Sequence, residues 1–187
     1  MKFFTQKQKG YSLIEVLVAV GLLMFAIVGP MTIAVKSSQS ALYARQQNTA
    51  FFLAQEGISI VNAIRNNAAL AVYGGTATNP WAWIDDARLA PCRAAHGCAI
   101  DATDATFLDN ITSCATATNC TLSFDVSAIR GRYRVGTGEA TPFRRIITLQ
   151  KSGADEVLVT ARVLWDARVL GSEQTVTLNT SLFNAYK

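Results

Sequence analysis

Apolar residues fill one continuous stretch near the start of the chain. Residues 16–35 hold no charged side chain, and 20 helical residues at about 1.5 Å each would cross the ~30 Å hydrocarbon core of a bilayer. Glu15 stands at the N-terminal end of this stretch. Pro30 lies late in it, where the missing amide predicts a kink. The pattern predicts a transmembrane helix at about residues 16–35 with one carboxylate at its entrance.

The helical pattern continues beyond the apolar stretch, because residues 36–67 contain no proline. Apolar or small residues recur there at the three- to four-residue spacing of an amphipathic helix: Leu53, Gly57, Ile60, Val61 and Ile64. Glycine costs about 1 kcal/mol relative to alanine inside a helix, so Gly57 predicts close packing against another element. We expect one long helix over residues 11–66, the second half of which packs on a domain.

The C-terminal part of the chain alternates between apolar and polar residues. Residues of high strand propensity predict five strands, at 121–126, 131–135, 144–150, 156–165 and 174–182. Short connections favour an antiparallel meander, whose apolar face can bury the helical stripe. The expected fold is α+β, a long N-terminal helix packed on a C-terminal antiparallel β-sheet at residues 121–187.

The region between helix and sheet, residues 67–120, predicts irregular structure and contains all four cysteines. An even number of cysteines beyond a membrane span favours disulfides, and each of the two cysteine pairs encloses five residues. Of three connectivities, we favour Cys92–Cys98 with Cys114–Cys120. The alternative is a metal site that includes His96, but zinc ligands are usually spaced two to four residues apart, so no metal is expected.

Positive charge is concentrated before the apolar stretch. The net charge is +4, and three of the lysines are Lys2, Lys7 and Lys9. The positive-inside tendency places this end in the cytoplasm and the residues after the span outside. A cleaved secretory signal is the competing interpretation, but its apolar core would be about 7–15 residues and an Ala-x-Ala site would follow directly, whereas none directly follows this longer stretch.

The order of residues around Glu15 is more specific than the apolar stretch alone. A basic start, Gly10, the aromatic Tyr11, and then Ser12, Leu13, Ile14, Glu15 and the apolar run follow one another. This order resembles the leader and N-terminus of type IV pilin-like proteins, which include pilus subunits and type II secretion pseudopilins.

The resemblance implies how the N-terminus is processed. A membrane peptidase would cut between Gly10 and Tyr11 on the cytoplasmic side, so residues 1–10 are a leader and the apolar helix is retained. Tyr11 would then be N-methylated, although the family usually has phenylalanine or methionine there.

The resemblance also implies a role for Glu15 in assembly, by pairing with the N-terminal amine of a neighbouring subunit. An isolated carboxylate at bilayer depth costs several kcal/mol, and cleavage would create a cationic partner in the α-amino group of Tyr11. The alternative is that Glu15 lies in the headgroup zone without such a partner.

Arginines alternate in one predicted strand, so Arg130, Arg132 and Arg134 would share a face. They form either a DNA-contacting patch of a DNA-uptake pilus or a solvated sheet face, which is the commoner fate of a charge run. Phosphate-binding loops, zinc-protease motifs and nucleophile elbows are not found in the sequence. No cofactor is expected, and a membrane-anchored extracytoplasmic enzyme is the weakest of the three hypotheses.

The sequence therefore predicts a minor pilin-like or pseudopilin-like structural subunit. It would span the inner membrane once with its N-terminus in the cytoplasm, and its partners would be the prepilin peptidase, an inner-membrane assembly platform and other subunits of a helical filament. The minor role rests on the similarity of residues 55–65, QEGISIVNAIR, to a helical segment common in minor members. A pilus and a secretion pseudopilus use the same leader, helix and sheet, so both remain open.

Overall fold

The computed structural model describes residues 10, 12–101, 107–127, 131–167 and 171–184. Its α-helices are α1 (Leu13–Tyr73) and α2 (Ala90–Arg93), and short 3-10 helices occupy Ala82–Asp85, Ala87–Leu89 and Ala117–Cys120. Its strands are β1 (Cys98–Ile100), β2 (Ile111–Ser113), β3 (Thr121–Asp125), β4 (Arg132–Val135), β5 (Glu139–Lys151), β6 (Glu156–Ala167) and β7 (Ser172–Phe183).

The chain divides after Ala44 into two compact units. The first contains the N-terminal part of α1, whose side chains are almost all exposed. The second contains the rest of α1, the connecting region and the antiparallel sheet. A long apolar N-terminal helix followed by a C-terminal antiparallel sheet confirms the expected α+β fold.

The end of α1 differs from the prediction, because the helix continues to Tyr73 instead of stopping near residue 66. Residues 68–72 read AALAV, and alanine and leucine are strong helix formers. The helix ends where Gly75 adopts a φ of 70°. The N–H of Thr76 then donates to Ala71 O and that of Gly75 to Val72 O, which is the Schellman pattern of a helix C-terminus.

The sheet is built around β5, which pairs on one side with β6 and on the other with both β1 and β3. All five predicted strands are present. β1 and β2 were not predicted, because each has three residues beside a cysteine loop and is too short to show alternation. They form an antiparallel pair in which Ala99 faces Thr112.

The meander prediction holds for the pair β3 and β4 and for β5, β6 and β7, but it is wrong for the step from β4 to β5, which do not pair. The order β5-β3-β4 places β3 between two strands that follow each other in the chain. Three residues, 136–138, carry the backbone across β3, and the Ser123 hydroxyl donates to Gly136 O at 2.9 Å. Gly138 has a φ of 139°, and a Cβ there would lie 2.8 Å from Phe124 O. Glycine is therefore required where the chain crosses the strand.

The second half of α1 packs on the inner face of the sheet, as predicted. Ile60, Val61 and Ile64 join a cluster with residues of β5, β6 and β7 and of the connecting region: Trp83, Ile84, Leu89, Cys92, Cys98, Ile100, Ile147, Leu149, Val157, Val159 and Leu182. A Cβ on Gly57 would lie 3.3 Å from Arg145 Cδ and 3.4 Å from Ala161 Cβ. Gly57 thus lies where α1 packs closely against the sheet, as its cost inside a helix predicts.

A buried arginine connects the helix to the sheet. Arg145 on β5 is fully buried and forms an ion pair with Glu56 of α1. Its guanidinium also donates to Leu53 O at 3.3 Å and to Ile100 O at 3.0 Å. One side chain therefore contacts α1, β1 and β5 at the centre of the second unit.

Removing Glu56 should leave the buried guanidinium of Arg145 without its ionic partner. We expect Glu56→Ala to lower the free energy of unfolding by about 2–3 kcal/mol, near the low end for a broken buried pair because Glu56 is partly exposed. Arg145→Met should cost about 1–2 kcal/mol by leaving Ile100 O unpaired. The double variant should be no less stable than Arg145→Met, since no charge is then left buried.

Urea unfolding of the full chain in detergent measures this cycle. All three tryptophans, Trp81, Trp83 and Trp165, lie in the second unit and report on it by fluorescence. Additive losses in the double variant would show that the pair contributes no coupling.

Candidate functional site at the N-terminal segment

The helix begins directly after the residues that the sequence marks for processing. Gly10 is exposed, and nothing lies within 4 Å of the position that a Cβ would take. Tyr11, residues 1–9 of the predicted leader at 1–10, and the Gly10–Tyr11 bond as a whole lie outside the described residues. The described side of the junction thus carries no obstruction to an approaching protein.

Glu15 occupies the first turn of α1 and is exposed. Its N–H donates to Ser12 O at 2.9 Å, and the N–H of Val16 donates to the same oxygen at 3.3 Å. A carboxylate in the first turn is stabilised by the partial positive charge of the helix N-terminus. The fold therefore places Glu15 beside the N-terminal junction, with its side chain available to another molecule.

The apolar stretch that follows has no partner within the described part of the chain. Its most apolar 18-residue window has a mean hydropathy of 2.5 and is 0% buried. Large side chains such as Phe25 at 83% and Ile33 at 70% are exposed. Among the described residues, α1 is the one helix long and apolar enough to cross a membrane.

Pro30 lies inside α1, and the helix continues through it. Proline has no N–H for the carbonyl four residues earlier, which weakens the ladder at that point. The Thr32 hydroxyl donates a hydrogen bond at 2.8 Å to Gly29 O, the carbonyl directly before Pro30. The kink stays a prediction.

The arginines of the predicted patch do not form one free cationic surface. Arg130 lies outside the described residues. Arg132 and Arg134 both lie on β4, where Arg132 is exposed, but Arg134 pairs with Asp125 at 3.2 Å and with the buried Asp101 at 3.7 Å. Arg144 pairs with Glu173 across the outer face of the sheet. Carboxylates thus already compensate much of the charge that a phosphate backbone would need.

The cysteines are joined as Cys92–Cys98 and Cys114–Cys120, the connectivity favoured from the sequence. The Cα atoms are 4.5 and 5.5 Å apart. The first bridge belongs to the main core cluster, and the second packs with Ala99, Val135 and Ile146. Since the sulfurs are bonded to each other, they cannot serve as thiolate ligands for a metal beside His96.

A pocket of about 660 Å³ lies at the C-terminal end of α1, between Ala68, Trp83 and Leu108. Two carboxylates line it, but Asp86 pairs with Arg88 at 2.8 Å and Asp85 pairs with Lys151. The hydrogen bonds from Arg88 lower the pKa of Asp86, so this group stays ionised. Neither carboxylate is placed as a proton donor in a catalytic site.

Sequence reasoning missed the Arg145–Glu56 pair, although both residues were in view. In the sequence, Arg145 belongs only to the predicted strand at 144–150, and Glu56 belongs only to the QEGISIVNAIR segment. The one available signal was position: Arg145 lies at the same two-residue spacing as Phe143, Ile147 and Leu149, which share the buried face of β5.

Comparison with protein families gives a match at the N-terminal segment. Residues 5–29 match the model of the prokaryotic N-terminal methylation motif, which is the type IV pilin-like signal. The match begins within the basic leader and ends at Gly29, inside the apolar stretch. Neither the comparison with curated proteins nor that with solved structures finds a match.

The hydrogen bonds of Asp125 on β3, beside Arg134, give a prediction about the pKa of its carboxyl. Hydrogen bonds from the Ser127 hydroxyl and backbone N–H, and then the contact with Arg134, lower the pKa of Asp125 below 3.8. A depressed folded pKa adds stability that is present above the unfolded value and is lost as the pH falls through the folded value. Ser127→Ala should therefore raise the Asp125 pKa toward its ordinary value, since the hydrogen bond from the hydroxyl is lost.

Carbon NMR titration of the Asp125 carboxyl, assigned with Asp125→Asn, measures this shift. Ser113→Ala is a matched control, because that hydroxyl binds elsewhere. An unchanged Asp125 pKa in Ser127→Ala would contradict the stated cause.

Proposed function

We propose that this chain is a minor pilin-like or pseudopilin-like subunit, made as a precursor and assembled into a type IV pilus or a type II secretion pseudopilus. One observation carries the proposal: the methylation motif at residues 5–29 runs directly into an exposed apolar helix with Glu15 in its first turn. The motif accounts for the leader, the helix for the anchor, and the acid for assembly.

The anchor follows from hydrophobic burial. The apolar side chains of residues 16–35 are exposed in the single chain, and their transfer out of water is favourable by about 25 cal/mol per Å². Lipid covers them before assembly and sister helices cover them in the filament. With the lysine-rich leader in the cytoplasm, the second unit lies outside the inner membrane.

Assembly rests on the pairing of Glu15 with an N-terminal amine of a neighbouring subunit. Cleavage after Gly10 by a prepilin peptidase creates that amine on Tyr11, four residues before the acid. In an apolar surrounding two opposite charges attract more strongly than in water, so the pair selects the axial position at which both are satisfied. N-methylation of Tyr11 would keep the amine cationic at neutral pH.

The second unit supplies partner specificity, and its role is structural instead of catalytic. Its core is apolar apart from Arg145, Asp101 and Ser123, and its cysteines are bridged. The carboxylates of the 660 Å³ pocket are paired, Asp86 with Arg88 and Asp85 with Lys151. The chemistry of the described residues thus favours a filament subunit with an assembly platform and other subunits as partners.

Gly10→Ala should block maturation, because the peptidase must accommodate the residue before the cut. An added methyl group in a tight specificity pocket changes turnover by about tenfold or more, so the full-length chain should accumulate in the membrane. Mass spectrometry of the N-terminus in membrane fractions measures the cleaved fraction.

Gly21→Ala is the matched control, since a Cβ there also meets nothing within 4 Å. It should be cleaved like the unmodified chain. Normal cleavage of Gly10→Ala would remove the proposed processing site.

Glu15→Ala should be cleaved normally but should enter filaments about tenfold less or worse, because the partner amine would be left unpaired in an apolar surrounding. Glu15→Gln should show the same defect, which separates charge from shape. Incorporation is measured by comparing sheared filaments with membranes by immunoblot.

Lys36→Ala removes a charge at the other end of the span and should incorporate normally. If Glu15→Ala also incorporates normally, Glu15 has only the headgroup position that the alternative gives it.

A further inference from the structure

The two sides of the sheet end in very different strands. On one side of the sheet, beyond β1 and β3, the outermost strands are β2 and β4. They have three and four residues, and β4 carries Arg132 and Arg134. On the other side β7 has 12 residues and pairs, within the described part of the chain, only with β6. Proteins usually shorten, charge or bulge an exposed edge to prevent strand addition. β7 shows none of these protections.

The backbone of β7 is regular along its whole length. Its pairing with β6 runs from Glu156 opposite Phe183 to Ala167 opposite Ser172 without a shift of register. The strand contains no proline and no lysine, and its one charged residue, Glu173, is paired with Arg144. Twelve residues at about 3.4 Å each give an edge of roughly 40 Å, about twice the usual strand length.

One hydrogen bond identifies which residues face outward. Asn184 donates its N–H to Asp155 O at 2.9 Å, one step beyond the pair of Glu156 and Phe183. Hydrogen-bonded and non-hydrogen-bonded pairs alternate in an antiparallel ladder. Even-numbered residues of β7 therefore bond to β6, and Thr175, Thr177 and Asn179 direct their N–H and C=O groups away from it.

A groove runs beside this edge on the inner face of the sheet. It has a volume of about 550 Å³ and is lined by Phe51, Gln55, Ile58 and Ser59 of α1 and by residues 178–180 of β7. No charged side chain lines it. Phe51 is 41% exposed, so apolar surface remains open there. A strand added to β7 would direct every second side chain into this groove.

We propose that β7 and this groove receive an extended segment of a different protein chain, about six to nine residues long, with uncharged apolar side chains at alternate positions. The outward backbone groups of β7 would hold the segment, and the groove would select its side chains. A charged segment is disfavoured, because nothing in the groove would pair with the charge.

A second copy of this chain fits the edge less well. Antiparallel pairing of two β7 strands reverses one copy relative to the other, so the α1 segments packed on the two sheets would run in opposite directions. Subunits that share one direction along a filament cannot pair in this way, a step that rests on the proposed function. Parallel pairing turns the second sheet over and places polar Thr177 and Asn179 above the apolar groove.

Photo-cross-linking of the full chain in its own cells tests the proposal. Benzoylphenylalanine replaces Thr175 or Asn179, and the linked residues of the partner are identified by mass spectrometry. We expect links to one segment of another protein, at positions four residues apart, as extended pairing requires. The same probe at Thr160, which lies opposite Asn179 on β6, should not link to that segment because it is one strand further from the edge.

Two pairs of variants separate strand addition from mere proximity. Thr177→Pro removes one outward N–H and should reduce the link from position 179 by about tenfold, whereas Thr177→Val keeps the N–H and should not. Gln55→Lys places a charge in the groove and should also reduce the link, whereas Gln55→Ala should not. Protease resistance of each variant verifies that the second unit is folded.

Three results would overturn the proposal: links to a second copy, links without regular spacing, or equal links from Thr177→Pro and Thr177→Val in folded protein. Cleavage after Gly10, read from the same samples, reports on the proposed function separately. A processed chain without the strand links would leave that function intact and remove this inference.

Discussion

The hydrophobic effect places opposite requirements on the two parts of one helix. α1 has 61 residues, and its buried positions all lie between Ala50 and Ala69, whereas the apolar side chains before Val35 have no cover within the described chain. Apolar residues exposed over such a length require lipid or neighbouring helices. These apolar side chains are therefore covered only when the chain joins a membrane or other molecules. The role of Glu15, the acid in the first turn, depends on that environment.

The position of the second part of α1 depends on the Arg145–Glu56 pair, which contributes more to specificity than to stability. A buried ion pair gains little net stability, because desolvation offsets the attraction, and Arg145 Nε has no hydrogen-bond partner among the described residues. The geometry of the guanidinium is nevertheless demanding. Leu53 O, Glu56 and Ile100 O must all be in reach at once, and Gly57 must face β5 and β6. A shift of the helix by one turn would lose all of these contacts, so the arginine fixes the position of α1 on the sheet.

Features that depend on neighbours in sequence were predicted well. The apolar stretch, the stripe from Leu53 to Ile64, the five longer strands and both disulfides follow from local periodicity or short loops, and the structure contains each of them. The roles of Gly10 and Glu15 stay predictions; they rest on a contiguous motif, and the family match at residues 5–29 covers both residues. Features that depend on distant residues were missed. Nothing near Arg145 in sequence indicates Glu56, 89 positions earlier, and nothing in β4 or β5 indicates that the chain crosses β3 between them.

The same distinction explains why the sequence left two interpretations open for the arginines of one strand, a DNA-contacting patch or a solvated sheet face. Alternation places Arg132 and Arg134 on one face, and sequence alone cannot say what lies opposite that face. In the fold, β3 brings Asp125 and the end of β1 brings Asp101 to Arg134, so its charge is satisfied within the molecule. The long edge of β7 is the converse case, because its residues look ordinary in sequence and become informative only in the fold, where none of the described strands lies beside that edge. An interaction surface in this fold is therefore better sought among unpaired backbone groups than among charged side chains.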